Sequence, residues 1–423
     1  MTRFTTLTVA LACGSALGAP AFDAATSVPA SQRPSGVAFA DFDGDGDTDM
    51  AVATDNLDKL SIYFNTAGVF GAPVNFLTGA GTGPDSIVAS DADGDGDQDL
   101  VVVLNNINTV RVYLNTAGTF AAGASASTGA EPRGLAKGDL NGDGVDDYAV
   151  ANRDGNSISI FSNDGFGGLT ASTAAAGDEP RAVAIADLNG DGIADIASSA
   201  HRDRAVLVHS GAAGYAVIQS LPVNPLTRPE GVVAADFNGD GVADLAAATS
   251  DDVFNAAAVW LNTGAGLGGR VDFLTNGLNS GQIAAGDLDG DGDADLAVSN
   301  QDSNSMSTLE NTGAGAFAPG VAMGTGVRPG EVVLGDVDGN GGLDIAVSNR
   351  DSNSVSLFMN QAGSGPCSPA DVAEPFGTLN FFDVSAYIGL YTAQDPAADL
   401  TGEGLFNFFD VAAYITLFGA GCP

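Results

Sequence analysis

Basic side chains are scarce in this 423-residue chain: 14 Lys and Arg stand against 53 Asp and Glu, a formal net charge of −39. A phosphate backbone would be repelled, which excludes nucleic acid as a general partner. Beyond the N-terminus no run approaches the ~18 uninterrupted apolar residues of a membrane-spanning helix, so no transmembrane span is expected. Cysteine, histidine and tryptophan number three, two and one. Zinc-type spacings, phosphate-binding glycine loops and nucleophile motifs are missing. Neither His201 nor His209 has a second metal-ligating residue type beside it. Ser210 does not make a triad with its neighbour His209, because adjacent residues of a strand face opposite ways. Glycine is abundant at 58 residues, and with 44 % hydrophobic and 16 % charged residues the composition is that of a turn-rich β protein.

The first residues have the layout of a secretory signal: Met1-Thr2-Arg3, an apolar stretch from Leu7 to Leu17, and an Ala19-Pro20-Ala21 cleavage sequence. Residues 1–21 are read as a signal peptide, the mature chain as starting at Phe22, and the protein as secreted or at the cell surface. Of the cysteines that remain, Cys367 and Cys422, a disulfide is expected, as for an even pair in an exported chain. They bracket residues 367–423 and mark a separate C-terminal module, reached through a Gly363-Ser364-Gly365-Pro366 linker.

Between these ends the chain repeats itself. Asp-x-(Asp/Asn)-Gly-(Asp/Asn)-Gly-x-x-Asp occurs seven times at steps of 48 to 51 residues. Each repeat has one grammar: a small apolar run such as Gly36 to Ala40, the acidic loop, a second run such as Met50 to Ala53, a polar turn, alternation such as Leu60 to Phe64, and a weaker fourth run. Four short strands per ~50 residues, repeated radially, make the blades of a β-propeller. The seventh repeat ends after its third strand near Asn360, whereas Phe22 to Pro29 reads like a fourth strand. The expected fold is therefore an all-β, seven-bladed propeller over residues 22–362, closed by its N-terminal strand, which removes the open sheet edge.

The acidic loops have the donors of a calcium site. Position one is Asp41, Asp91, Asp139, Asp187, Asp236, Asp287 and Asp336; position three is Asp43, Asp93, Asn141, Asn189, Asn238, Asp289 and Asp338. Position five is Asp45, Asp95, Asp143, Asp191, Asp240, Asp291 and Asn340; position nine is Asp49, Asp99, Asp147, Asp195, Asp244, Asp295 and Asp344. The seventh residue, Asp47, Asp97, Val145, Ile193, Val242, Asp293 or Gly342, would offer its carbonyl. Glycines at four and six permit tight wrapping. Oxygen-only donors favour a hard cation, and Ca²⁺ over Mg²⁺. About seven Ca²⁺ are expected as scaffold, each joining the first strand of a blade to the second, with the seventh loop the poorest donor set.

On these motifs the repeats resemble the FG-GAP and VCBS families, relatives of the integrin α-subunit propeller, over roughly Phe22 to Gly363. The resemblance implies the same bidentate closure of the calcium shell by the ninth residue. Repeat four departs from it, with His209-Ser210-Gly211 in place of Asn-Thr-Gly. In the C-terminal module, Leu379 to Ile388 is repeated as Phe406 to Ile415 at an offset of 27, each copy a loop followed by an amphipathic helix. This pairing resembles a dockerin, of the type that ends in Gly-Cys. It implies a small α-helical module with a cohesin-like or cell-surface partner, and one further calcium loop from Asp399 to Asp410 with Thr401 and Glu403 at ligand positions.

Two functions remain. One is a non-catalytic binding or adhesion propeller whose ligand is an extracellular protein or an acidic polysaccharide. The other is a propeller enzyme, a polysaccharide lyase or dehydratase, for which only the surroundings of His201, Arg202 and Arg204 combine a base with cations. Aromatic platforms for sugars are few, and Trp260 sits in a strand pattern suited to core packing. Ten of the thirteen Lys and Arg beyond residue 21 fall at the ends opposite the acidic loops. Arg33, Arg133, Arg181, Arg228 and Arg328, which precede first strands, are expected to focus an anion at the central mouth.

Overall fold

The computed structural model describes residues 20–251, 254–264 and 266–361, with isolated positions between 384 and 415. Seven four-stranded antiparallel sheets follow one another along the chain, and in each the strand just before the acidic loop is innermost. These first strands are Pro34–Ala40, Pro84–Ser90, Pro132–Gly138, Pro180–Ala186, Arg228–Ala235, Ser280–Gly286 and Pro329–Gly335. Five begin with proline, which lacks the ladder N–H and suits a strand's first residue. In every blade the register shifts just after this start, between Pro34 and Val37 in blade one.

All residues of the seven second strands, such as Asp49–Thr54 and Asp99–Leu104, are buried, because both faces of each sheet are covered by neighbouring blades. The core is accordingly not one cluster but seven, each spanning a single seam between adjacent blades. Trp260, 1 % exposed, fills the seam between blades four and five. Around the axis the blades approach so closely that a Cβ on Gly36 or Gly134 would lie 2.6 Å from a carbonyl oxygen of the next blade.

The ring closes as the repeats require. Thr26–Pro29 is the outer strand of blade seven, with Thr26 opposite Leu357 and Pro29 opposite Ser354. Phe22 bridges Asn360, and the Asp23 N–H donates to the Met359 carbonyl at 2.9 Å. Repeat four forms its blade despite the altered turn, strand three there running Ala205–Ser210.

Residues 1–19 and the linker lie outside the described residues, as do Cys367, Cys422, Asp399, Thr401, Glu403 and Asp410. In the C-terminal region Tyr387 and Tyr414, which occupy the same position in the two copies, stack with centroids 3.9 Å apart. Among the described residues no helix is long and apolar enough to cross a membrane.

Deleting Phe22 to Pro29 strips blade seven of its outer strand and bares the edge of strand Ser354–Phe358. Size-exclusion chromatography of the truncated chain is expected to show self-association. A monomer with an unchanged melt would contradict the closure.

Candidate functional site

Each acidic loop is built on its ninth residue. Asp49, Asp99, Asp147, Asp195, Asp244, Asp295 and Asp344 are all fully buried at the start of a second strand. One oxygen accepts the N–H of position two, as from Phe42 to Asp49 at 2.9 Å and from Ala92 to Asp99 at 2.9 Å. The other accepts a backbone N–H beyond strand three, from Asn65 to Asp49 and Asn115 to Asp99, both 2.7 Å. All seven blades repeat the pair, Gly211 being the donor in blade four at 3.0 Å. In blades one, two, six and seven each oxygen keeps a second lone pair for an ion, whereas in blades three to five one oxygen also accepts from the Asn141, Asn189 or Asn238 amide at 3.1 to 3.5 Å.

The asparagine after strand three does more than turn the chain. Its amide nitrogen crosses the seam to the position-two carbonyl of the preceding blade: Asn115 to Phe42 at 2.8 Å, Asn163 to Ala92 at 2.9 Å, Asn262 to Leu188, Asn311 to Phe237 and Asn360 to Leu288 at 2.8 Å. Asn65 reaches Val337 of blade seven at 2.6 Å and completes the circle. Blade four lacks the asparagine, and there the Tyr215 hydroxyl donates to the Leu140 carbonyl at 3.1 Å. The position-two peptide is thus gripped at its N–H by its own blade and at its C=O by the next.

Above this clamp the loop carboxylates converge. The glycines at positions four and six all have positive φ, as Gly44 at 80° and Gly46 at 95°. Four groups bring three carboxylates within 4.8 Å of one another: Asp41, Asp43 and Asp45; Asp91, Asp93 and Asp99; Asp287, Asp289 and Asp291; Asp336, Asp338 and Asp344. These oxygen-only sets fit a hard divalent cation such as Ca²⁺. The seventh loop, expected to be the poorest, is one of the four. In loops three to five the Asn141, Asn189 and Asn238 oxygens accept the position-five N–H at 2.9 to 3.0 Å. Asp43 does the same for Asp45 at 3.3 Å, so the amide oxygen takes the place of a carboxylate oxygen.

The opposite face carries the cations. A cavity of about 270 Å³ opens at the mouth of the central channel, with walls from the first strands of all seven blades. Arg133, Arg181 and Arg328 line it, joined by Arg350 from the turn between strands two and three; Arg228 lines a neighbouring cavity and Arg33 lines neither. Pairing with an aspartate of the same turn holds for Arg153 with Asp154 at 3.2 Å, and Arg328 pairs with Asp351 of another turn of its own blade at 4.0 Å. Other pairs run between blades, Arg133 with Asp85 at 3.0 Å, Arg181 with Glu230 at 2.5 Å and Arg350 with Asp55 at 3.4 Å, while Glu131 takes both Arg133 and Arg153 at 2.8 Å within blade three. The Nε atoms of Arg181 and Arg350 are buried without a hydrogen-bond partner among the described residues.

His201 is 5 % exposed, its ring nitrogens 3.4 Å from Glu179 and 3.0 Å from Glu230, with Arg202 on Glu179 at 2.9 Å. It is a braced wall of the fold rather than an open base. His209 is fully buried with Nε2 2.9 Å from Ser198 Oγ, and burial holds its pKa down at about 4. The carboxyl that sequence reasoning missed is Glu331, in the wall of the mouth, where burial and then the nearby Asp85 push its pKa up to about 7. Its signal was available: Glu331 occupies the repeat position held by Gly36, Gly134 and Gly231 in other blades.

The sequence matches the FG-GAP-like repeat profile at residues 41–102, 91–150, 139–198, 236–298 and 287–347, more than half of the chain, which therefore belongs to the FG-GAP-like repeat family. No curated protein sequence matches it. Among solved structures it is similar in fold to virginiamycin B lyase from Staphylococcus aureus, with a TM-score of 0.57 and 12 % identity over 80 % of this chain and 99 % of that one. Saccharomyces cerevisiae Sqt1 is similar at a TM-score of 0.54 and 9 % identity, over 80 % of this chain and 98 % of that one.

Burial pushes the pKa of Asp49, Asp99 and Asp344 up to about 6 and of Asp295 up to about 7; the N–H bonds pull it back in part, and neighbouring carboxylates add to the rise. A raised carboxyl pKa means that the ion-free fold prefers the proton. Its stability is greatest near the unfolded pKa and is lost as pH rises through the folded value. His209, with its lowered pKa, acts the other way below pH ~6.5. At about 1.4 kcal/mol per unit, four carboxyls outweigh one imidazole. In chelator the melting temperature is expected to fall as pH rises from about 4 to about 7, and a saturating divalent cation to abolish the fall. A flat chelated profile would contradict it.

Proposed function

We propose that this protein is an exported, calcium-stabilised binding or adhesion propeller that takes a carboxylate-bearing ligand at its arginine mouth. About seven Ca²⁺ would occupy the acidic loops as scaffold. The dockerin-like C-terminal module would address or anchor the protein through a cohesin-like or cell-surface partner.

The observation that carries the reading is the convergence of Arg133, Arg181, Arg328 and Arg350 on one cavity, two of them with a buried Nε–H that has no acceptor among the described residues. Buried donors without partners are rare, and a ligand oxygen would satisfy them. Each of the four has a carboxylate partner, Arg133 with Asp85 and Glu131, Arg181 with Glu230, Arg328 with Asp351 and Arg350 with Asp55, so the mouth presents guanidiniums already fixed in place rather than free charges. Such a site focuses an anion at low cost in reorganisation.

Glu331 favours a second reading, the lyase or dehydratase type of enzyme on acidic polysaccharide. A carboxyl with a pKa of about 7 beside arginines offers a general base and cationic neutralisation in one cleft.

Isothermal titration of the full chain in calcium, with uronic acids and acidic peptides as probes, tests both. The Arg133→Gln/Arg328→Gln variant is expected to bind at least about tenfold more weakly, measured at a temperature well below its melt, which the loss of the Asp85 and Glu131 pairs lowers. Undiminished binding by the folded variant would remove the mouth from the account. Appearance of an unsaturated uronate in the same mixtures, lost in Glu331→Gln, would favour the enzyme.

A further inference from the structure

Six of the seven seams on the arginine face are closed by one kind of bond. A side-chain oxygen from the turn between strands two and three accepts the N–H of the residue just before or at the start of the next blade's first strand. Asp58 accepts from Gly83, Asn108 from Glu131, Asn156 from Glu179, Asn255 from Asn279, Asn304 from Arg328 and Asn353 from Arg33, all at 2.9 to 3.0 Å. The seam between blades four and five has no such bond among the described residues. Arg204 stands where the other turns carry Asn or Asp, and its guanidinium donates to the Pro225 carbonyl instead. Arg228 does not turn through positive φ as Arg33 and Arg328 do, at 55° and 58°, but extends the first strand and pairs with Ser250.

From this seam a cavity of about 400 Å³ runs across blade five to Asn279 and Asp302 of blade six, and its wall includes Arg181, Arg204, Arg228, Glu230, Asp251 and Asp302. Arg181 lines the central mouth as well, so the two cavities meet at a single guanidinium. Their charges differ. Four arginines face two carboxyls in the mouth, whereas three arginines face three carboxyls in the seam. Glu230 and Arg181 are held in place by His201, which is buried against Glu230. Arg228 and Asp302 have no ion pair or side-chain hydrogen bond among the described residues.

Resting on the anion-binding mouth proposed above, we infer that the ligand is an acidic saccharide chain of mixed composition. Its uronate unit occupies the mouth and the neighbouring neutral sugar lies in the seam between blades four and five. Vicinal hydroxyls both donate to carboxylates and accept from guanidiniums, which matches a wall of balanced charge. A second carboxylate would meet Glu230, Asp251 and Asp302, so a polyuronate or an acidic peptide fits the mouth but not the seam. The cavity starts at the one seam without the bond and reaches no further than blade six, so the chain leaves the mouth in one radial direction.

Titration of the full chain in calcium with four probes tests this: glucuronic acid, a disaccharide of glucuronic acid and a neutral hexose, a diuronate, and a short Asp-rich peptide. The mixed disaccharide is expected to bind at least about tenfold tighter than glucuronic acid. In Arg228→Gln/Asp302→Asn the ratio of the two affinities is expected to fall to about one. Equal affinities in the unaltered protein, a diuronate or peptide that binds tighter than the mixed disaccharide, or a ratio that survives the double substitution would each overturn the seam assignment and leave the mouth standing. Binding of no uronate at all would overturn the mouth, and this inference with it.

Discussion

The structure depends on a buried carboxylate placed where two blades meet. The ninth residue of each acidic loop accepts one N–H from the loop and one from beyond strand three, and the loop peptide it holds is gripped from the other side by the next blade. A propeller has no single core: each seam is a thin apolar layer, and small blades covered on both faces need polar contacts to fix their angle. Hydrogen bonds at both ends of six seams and at one end of the seventh do this, and each contributes about 1 kcal/mol when satisfied and costs more than that when left open.

Such a clamp has an electrostatic cost, because a carboxylate placed out of water beside two or more others resists ionisation. A hard cation held by the loop carboxylates would offset that cost, and ion binding would then be tied to the stability of the ring. The opposite face solves the same angular problem with ion pairs. Asp85 with Arg133 and Arg181 with Glu230 sit at equivalent positions of successive blades, so pairing one repeat apart braces the channel and presents guanidiniums to its mouth. Repeat four is the exception on both faces, using Tyr215 in one clamp and leaving the other seam open.

Much of this was legible in the sequence, since period, strand grammar and the missing last strand are properties of the text itself. The seven blades, the closure by Thr26–Pro29 and the glycines of positive φ followed directly. The clamp did not, because the asparagine of an Asn-Thr-x-Gly turn already has a local explanation, and its bond to a residue some 70 positions away leaves no local trace. Salt bridges were hidden for a similar reason: an arginine has an aspartate in its own turn, yet its partner is set by the register of the next blade. Glu331 was legible only by aligning the repeats, where it replaces glycine. The C-terminal calcium loop and the Cys367–Cys422 pair fall outside the described residues.

The clamp is tested most directly by a calorimetric melt of Asn115→Asp in saturating calcium. The substitution keeps size and shape but turns donors to the Phe42 and Gln98 carbonyls into acceptors, leaving a buried charge whose one donor is the Gly118 N–H, facing two carbonyl oxygens. The account predicts a loss of about 3 kcal/mol or more, seen as a clearly lowered melting temperature. A melt that coincides with that of the unaltered protein would contradict the claim that these bonds hold the seams.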